Sequence, residues 1–231
     1  MKRILAVVAA AAAVLPALAQ NTPFYIAGDF NGWNASGDLM TQISPGIWQA
    51  TIPDVGGRHE FKVTEGDWNW SFPASSSGNS WFYGDANGNI TITYDVNTYS
   101  DGWSAASGRI GVSVDPGTWT AVGDWEGWNN ANPATQMTAI GGGIYDLSYA
   151  IATPGTYQYK AVDTGSWDAI GSDARCVNAS TLSFTTLLPN QTVDFEVNAL
   201  VGDIMVVVPE PTSLALGVFG LGLCYLQRRR L

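Results

Sequence analysis

The segment Gly28-Asp29-Phe30-Asn31-Gly32-Trp33-Asn34 returns 95 residues later as Gly123-Asp124-Trp125-Glu126-Gly127-Trp128-Asn129. Five of the seven positions are identical, and a sixth keeps an aromatic, Phe30 against Trp125. Two glycines, an Asx turn former and two aromatics in so short a run predict a tight turn. It leaves a buried strand and displays a flat ring at its tip. A repeat of this kind implies two copies of one fold.

The correspondence extends outward from the turn. Gly46-Ile47-Trp48 answers Gly143-Ile144-Tyr145, and Phe61-Lys62-Val63 answers Tyr159-Lys160-Ala161. Thr91 to Asn97 answers Thr192 to Asn198, so the offset drifts from 95 to 101 through small insertions in loops. Within the matched runs the period is two. Trp48, Ala50 and Ile52 share one strand face, as do Tyr145, Leu147, Tyr149 and Ile151. Gly/Pro/Asn clusters separate the runs, and the pattern predicts half-buried antiparallel strands. The expected fold is all-β, with one small β-sandwich in residues 20–104 and a second in residues 117–207. Residues 105–116 read as the linker, within which Ile110, Val112 and Val114 could pair as an edge strand.

Composition agrees with an all-β chain. Aromatics make up 12% of the 231 residues, only 13% are charged, and glycine is frequent. The net charge is −10, but five of the ten basic residues sit at the two ends. Between Gln20 and Val208 there are 19 acidic residues against 5 basic, a charge of −14. Such a surface repels nucleic acid and leaves neutral polymers such as sugars as partners. The two cysteines, Cys176 and Cys224, form no disulfide framework, and no cluster has metal-ligand spacing. Neither a metal nor a cofactor is expected.

Both ends read as targeting segments. Residues 1–19 have the form of a signal peptide: Lys2 and Arg3, an apolar middle from Ile4 to Leu15, and a small-x-small site at Ala17-Leu18-Ala19. The C-terminus carries Pro209-Glu210-Pro211, an apolar Gly/Leu run over 212–226 and the triplet Arg228-Arg229-Arg230. As a helix that run would be about 22 Å long at ~1.5 Å per residue, short of the ~30 Å bilayer core. The three parts in this order resemble the PEP-CTERM sorting signal of Gram-negative bacteria, which would occupy residues 208–231. The resemblance implies a transmembrane helix at 212–226 and recognition of Pro209, Glu210 and Pro211 by an exosortase-type membrane protease. It also implies an exported protein, anchored through the C-terminal helix or released to the cell surface or extracellular matrix.

Between the ends, Gly-Asp-Phe-Asn-Gly-Trp-Asn, then Gly-Ile-Trp, then an aromatic-Lys pair with a Trp soon after, resembles the starch- and glycogen-binding early-set domains. These include carbohydrate-binding module family 48 and the pullulanase-associated domains. The resemblance implies two tandem immunoglobulin-like (early-set) β-sandwiches. It also implies sugar contacts from the second Trp of the turn, the Lys after the aromatic, and a Trp about seven residues later. In the second copy these are Trp128, Lys160 and Trp167, at the family spacing. In the first they are Trp33, Lys62 and either Trp68 or Trp70, six or eight residues past the lysine. The family also uses a polar residue in a later loop, and neither Ser71 to Asn89 nor Ala169 to Leu188 aligns well enough to supply it. Strand parity sets Lys62 opposite Phe61 and Lys160 opposite Tyr159, which faces both lysines outward if the aromatics face the core.

The residues offer little to catalysis. The only histidine, His59, shares a strand face with Phe61 and reads as structural. Asp85-Ala86-Asn87-Gly88-Asn89 reads as a hairpin turn, since it lacks the glycine and glutamate positions of a calcium loop. Asp67 with Asp85, or Asp163 with Asp168, could be imagined as a glycosidase dyad, but nothing in the sequence sets either pair across a cleft. The expectation is a non-catalytic, exported protein that binds an α-glucan or another surface polysaccharide. The alternative is a structural envelope or matrix protein that uses the fold without a sugar site.

Overall fold

The computed structural model describes residues 23–210. The described residues are nearly all β, 49% strand and 3% helix. Helix among the described residues is confined to two short 3-10 turns, Asp29–Asn31 and Pro133–Thr135. The first half holds β1 (Tyr25–Gly28), β2 (Asp38–Leu39), β3 (Thr41–Ser44), β4 (Ile47–Ile52), β5 (Arg58–Thr64), β6 (Ser71–Phe72), β7 (Ser80–Tyr83), β8 (Ile90–Asp95) and β9 (Arg109–Val112). The second holds β10 (Trp119–Gly123), β11 (Thr138–Gly141), β12 (Ile144–Ile151), β13 (Gly155–Asp163), β14 (Asp168–Gly171), β15 (Ala174–Val177), β16 (Leu182–Thr186), β17 (Gln191–Asn198) and β18 (Asp203–Val207).

These strands form four small antiparallel sheets. Their orders are β2-β1-β5-β6 with β7 also on β5, β3-β4-β8-β9, β10-β13-β14-β15 with β16 also on β13, and β11-β12-β17-β18. The period-two faces lie as the alternation requires: on β4, Trp48, Ala50 and Ile52 are buried while Thr51 is exposed. One core gathers Ile26, Phe61, Val63 and Phe82 from the first sheet with Trp48, Ile92, Tyr94 and Ile110 from the second. The other gathers Trp119, Tyr159, Ile170 and Phe184 from the third sheet with Val193, Phe195, Val197 and Ile204 from the fourth.

The expected pair of tandem immunoglobulin-like sandwiches is therefore corrected to a propeller-like set of four small sheets. The halves do not close on themselves. Trp81 of β7, in the first half, is fully buried in the core of the second. The stretch read as a linker contains β9, which pairs with β8 so that Ile110 lies opposite Tyr94. Beyond it, the carboxylate of Asp115 lies 2.9 Å from the Arg175 guanidinium of β15. Alternation in a sequence reports that a strand has one buried face. It does not report how many sheets share that burial.

The expected flanking helices are corrected as well. No helix among the described residues is long and apolar enough to cross a membrane. The signal peptide, the 212–226 segment, Pro211 and Arg228, Arg229 and Arg230 lie outside the described residues. Among the described residues, no helix carries the anchorage expected at the C-terminus.

The repeated turn explains itself in both copies. Gly28 and Gly123 are the sites where an aromatic folds back onto the backbone: a Cβ there would collide with the ring of Phe30 or Trp125. Those two rings anchor the turn, Phe30 against the first core and Trp125 stacked on Phe195 at 5.1 Å. Asn31 Oδ1 accepts from the amides of Gly28 (3.0 Å) and Asn34 (3.3 Å). Where the repeat has Glu126 instead, Glu126 Oε1 accepts from Gly123 (3.1 Å) and Asn129 (3.0 Å). One capping job is thus done by two residue types. Both turns end with a tryptophan in the left-handed region, Trp33 at φ 58° and Trp128 at φ 61°. A bulky residue rarely adopts that conformation, and such outliers concentrate where a side chain must be displayed.

Candidate functional site

Trp33 and Trp68 stand with ring centroids 6.4 Å apart and planes tilted by 46°. With Lys62 and Asn79 they line an open hollow of about 330 Å³. Trp68 is 49% exposed and Trp33 half-buried, so the hollow presents aromatic surface to solvent. The two tryptophans left open in the sequence lie in different surroundings. Trp70 packs into the first core, 5.7 Å from the ring of Phe24 and 6.3 Å from that of Tyr94. Trp70 is partly buried against that core, and Trp68 is the exposed ring.

The polar residue on the wall of the hollow is Asn79, which comes from the loop before β7. Its side-chain Nδ2 donates to Glu60 Oε2 at 2.8 Å, and its backbone carbonyl accepts from the Val177 amide at 2.8 Å. The second bond reaches across to β15, a contact that no pattern within one repeat could reveal.

Both lysines lie on the faces that strand parity assigns, yet neither offers an open ammonium. Lys62 is only 7% exposed, and its Nζ lies within hydrogen-bond reach of the carbonyls of Pro73 (3.1 Å), Ala74 (2.9 Å), Ser77 (3.3 Å) and Gly78 (3.1 Å). An ammonium has three protons to donate, so these carbonyls saturate it. Burial pulls its pKa below the usual lysine value. Lys160 is equally buried; it donates to Ala179 at 3.0 Å and sits 5.2 Å from the centroid of the Trp167 ring. Burial lowers its pKa too. Lys62 therefore shapes the loop that carries Asn79, and Lys160 supports Trp167 from beneath by a cation–π contact.

The second copy is less open than its spacing implies. Trp167 is 39% exposed, whereas Trp128 is half-buried against Val122, Val162, Ala169, Cys176 and Ala179. Trp128 Nε1 donates to Asp124 Oδ1 at 3.1 Å. Among the described residues, no ring pair like that of Trp33 and Trp68 joins Trp128 to Trp167. The first copy, whose spacing departs from the family, has the more complete constellation.

The carboxylates considered for catalysis have structural partners. Asp168 Oδ1 accepts from Arg58 Nη2 at 2.6 Å, and Asp163 accepts from the Tyr83 hydroxyl at 3.2 Å. Asp67 caps the amide of Asn69, and Asp85 those of Asn87 and Asn89. His59 bridges Asp29 Oδ1 (2.7 Å) and the Gly56 carbonyl (3.1 Å). Burial pushes the Cys176 thiol up to about 12, away from thiolate chemistry. Of the sorting motif, Pro209 and Glu210 follow β18, where the Pro209 carbonyl accepts from Gln191 Nε2 at 2.9 Å.

No family model matches the chain, and no curated protein matches it. Among solved structures it is similar to SusF from Bacteroides thetaiotaomicron, at 17% identity and a TM-score of 0.32. That match covers 85% of this chain and 50% of SusF, so the chain spans about half of that protein's length.

Proposed function

We propose that this protein is a non-catalytic carbohydrate-binding protein whose sugar site is the hollow of Trp33, Trp68 and Asn79. The observation that carries this reading is the exposed Trp33–Trp68 pair, 6.4 Å apart and tilted by 46°. Sugar rings offer C–H groups to an aromatic face and hydroxyls to a few fixed polar groups. Two rings set at an angle suit successive sugars of an α-linked glucan, which turns from ring to ring, better than the flat ribbon of a β-1,4 chain. The acidic surface is compatible with an uncharged polymer. The same proposal includes recognition of Pro209, Glu210 and Pro211 by an exosortase-type protease, for which the sequence motif is the whole support.

Affinity electrophoresis of the full chain in gels containing amylose, glycogen or a soluble β-glucan tests it. Retardation is expected in the two α-glucans. Trp68→Ala should abolish most of it without changing the melting temperature, whereas Trp70→Ala should destabilise by about 3–5 kcal/mol, as large-to-small core changes do. Equal mobility with and without every glucan would favour a structural role for the fold.

A further inference from the structure

The hollow and the ring of Trp167 belong to different repeats but to one face of the molecule. On β13, Tyr159 and Ala161 enter the second core, so Lys160 and Val162 point to the opposite face of the third sheet, which Ala169 and Cys176 share. On β5 the same alternation sets Lys62 opposite Phe61 and Val63. The two outer faces join at the loop before β7. The Gly78 carbonyl accepts from Lys62 Nζ at 3.1 Å and from Cys176 Sγ at 3.2 Å. A side chain at Gly78 would collide with the Val177 carbonyl, so this approach of backbone to backbone requires glycine.

The distance between the sites is short. The Val177 amide donates to the Asn79 carbonyl at 2.8 Å, and the next amide, that of Asn178, donates to the Trp167 carbonyl at 2.8 Å. One peptide step and two hydrogen bonds thus separate the wall of the hollow from the backbone of Trp167, on the order of 10 Å. Asn178, at the middle of this path, is exposed and polar. The neighbour of Trp167 is pinned across the same boundary, with Arg58 Nη2 donating to Asp168 Oδ1 at 2.6 Å. Among the described residues Trp167 has no ring partner of its own, and a lone ring gains most as an extension of a stronger site.

We propose that the hollow and Trp167 are subsites of one continuous track, so that a single polysaccharide chain lies across both repeats, with Asn178 between. The inference rests on the carbohydrate-binding reading of the hollow. It requires that the repeats be fixed to each other, as Trp81 and the Arg58–Asp168 pair fix them.

Calorimetric titration of the full chain with maltotriose and maltoheptaose tests it, in the wild type, Trp68→Ala and Trp167→Ala. Both side chains are exposed, and unchanged thermal melts check that the variants fold. A shared track binds one maltoheptaose per protein, about tenfold more weakly in either variant. Maltotriose, too short to span, responds to Trp68→Ala alone. Two maltoheptaose per protein, or a maltoheptaose affinity untouched by Trp167→Ala, overturns the track and leaves the hollow as a separate sugar site. No heat with either sugar, together with no retention by amylose, overturns the carbohydrate reading and the track with it.

Discussion

The guanidinium of Arg175 lies 4.2 Å from the ring centroid of Trp81, across the boundary between the two repeats. Both side chains are fully buried. Arg175 Nη2 donates to Asp115 Oδ2 at 2.9 Å and to the carbonyl of Ala199, while Nε and Nη1 have no hydrogen-bond partner among the described residues. Burial lowers the arginine pKa, and Asp115 opposes that shift. The charge is held by one carboxylate and the faces of Trp81 and Trp119. The first repeat, the 105–116 stretch and the second repeat therefore meet at one ion.

A buried pair of this kind costs most when it is broken. Arg175→Met alone, or Asp115→Leu alone, leaves an uncompensated charge and should lower stability by about 3–5 kcal/mol in urea unfolding. The double variant, which removes both charges, should recover most of that loss. A double variant no more stable than the singles would show that packing, rather than the ion pair, is what the position supplies.

This keystone also marks where the sequence stops being legible. The turn repeat and the strand parity are written in local spacing, and they placed Trp48 on the buried face of its strand and both lysines opposite the core aromatics. Parity says which way Lys62 points, but not that the loop from Pro73 to Gly78 covers it. Spacing favoured Trp167 over Trp68, yet ring geometry depends on where each loop settles, and Trp68 is the ring that meets Trp33. Asn79, Trp81 and Arg175 owe their roles to contacts with the other repeat, which neither copy encodes by itself. Ile110 and Val112 gave a signal of a strand in the stretch read as a linker, since they alternate in a run too short to stand alone.

Asp203 predicts a pH dependence. Its side chain is almost fully buried; Oδ2 lies 3.2 Å from Arg109, and Oδ1 has no hydrogen-bond partner among the described residues. Burial pushes its pKa up to about 6, with Arg109 acting in the opposite direction. The folded state thus holds this proton more tightly than the unfolded chain, where the pKa is about 3.9. Stability from this group falls as pH rises from ~4 to ~6 and stays at its lower level above that, a difference of about 3 kcal/mol. Asp203→Asn should flatten that slope in urea melts taken between pH 4 and pH 7. An unchanged slope in the variant would assign the dependence to other carboxylates.

Lys62 should act on binding through the loop it organises. Lys62→Met keeps the stem but strips the carbonyls of Pro73, Ala74, Ser77 and Gly78 of their shared donor, a loss on the order of 2–3 kcal/mol. Asn79 then loses its fixed position, so glucan affinity should fall together with hydrogen-exchange protection in residues 74–79. Asn79→Ala should lower affinity while leaving that protection intact. If Lys62→Met weakened binding with the loop amides still protected, the ammonium would be a direct sugar contact instead.

Trp33 carries a test of strain at the site. At φ 58° it occupies a backbone region that a residue with a Cβ enters at a cost, whereas glycine does not. Replacing tryptophan by any small residue removes the platform, so Trp33→Gly and Trp33→Ala should both lose glucan binding. Their stabilities should separate in an unusual order. Glycine normally weakens a structured position relative to alanine through the entropy of the unfolded chain. Here Trp33→Gly should be more stable than Trp33→Ala by about 1 kcal/mol, because only the alanine retains the left-handed strain. Trp128, at φ 61°, should show the same order. Alanine variants more stable than the glycine variants in thermal melts would mean that the turn relaxes once the ring is gone, and that the ring itself imposes the conformation.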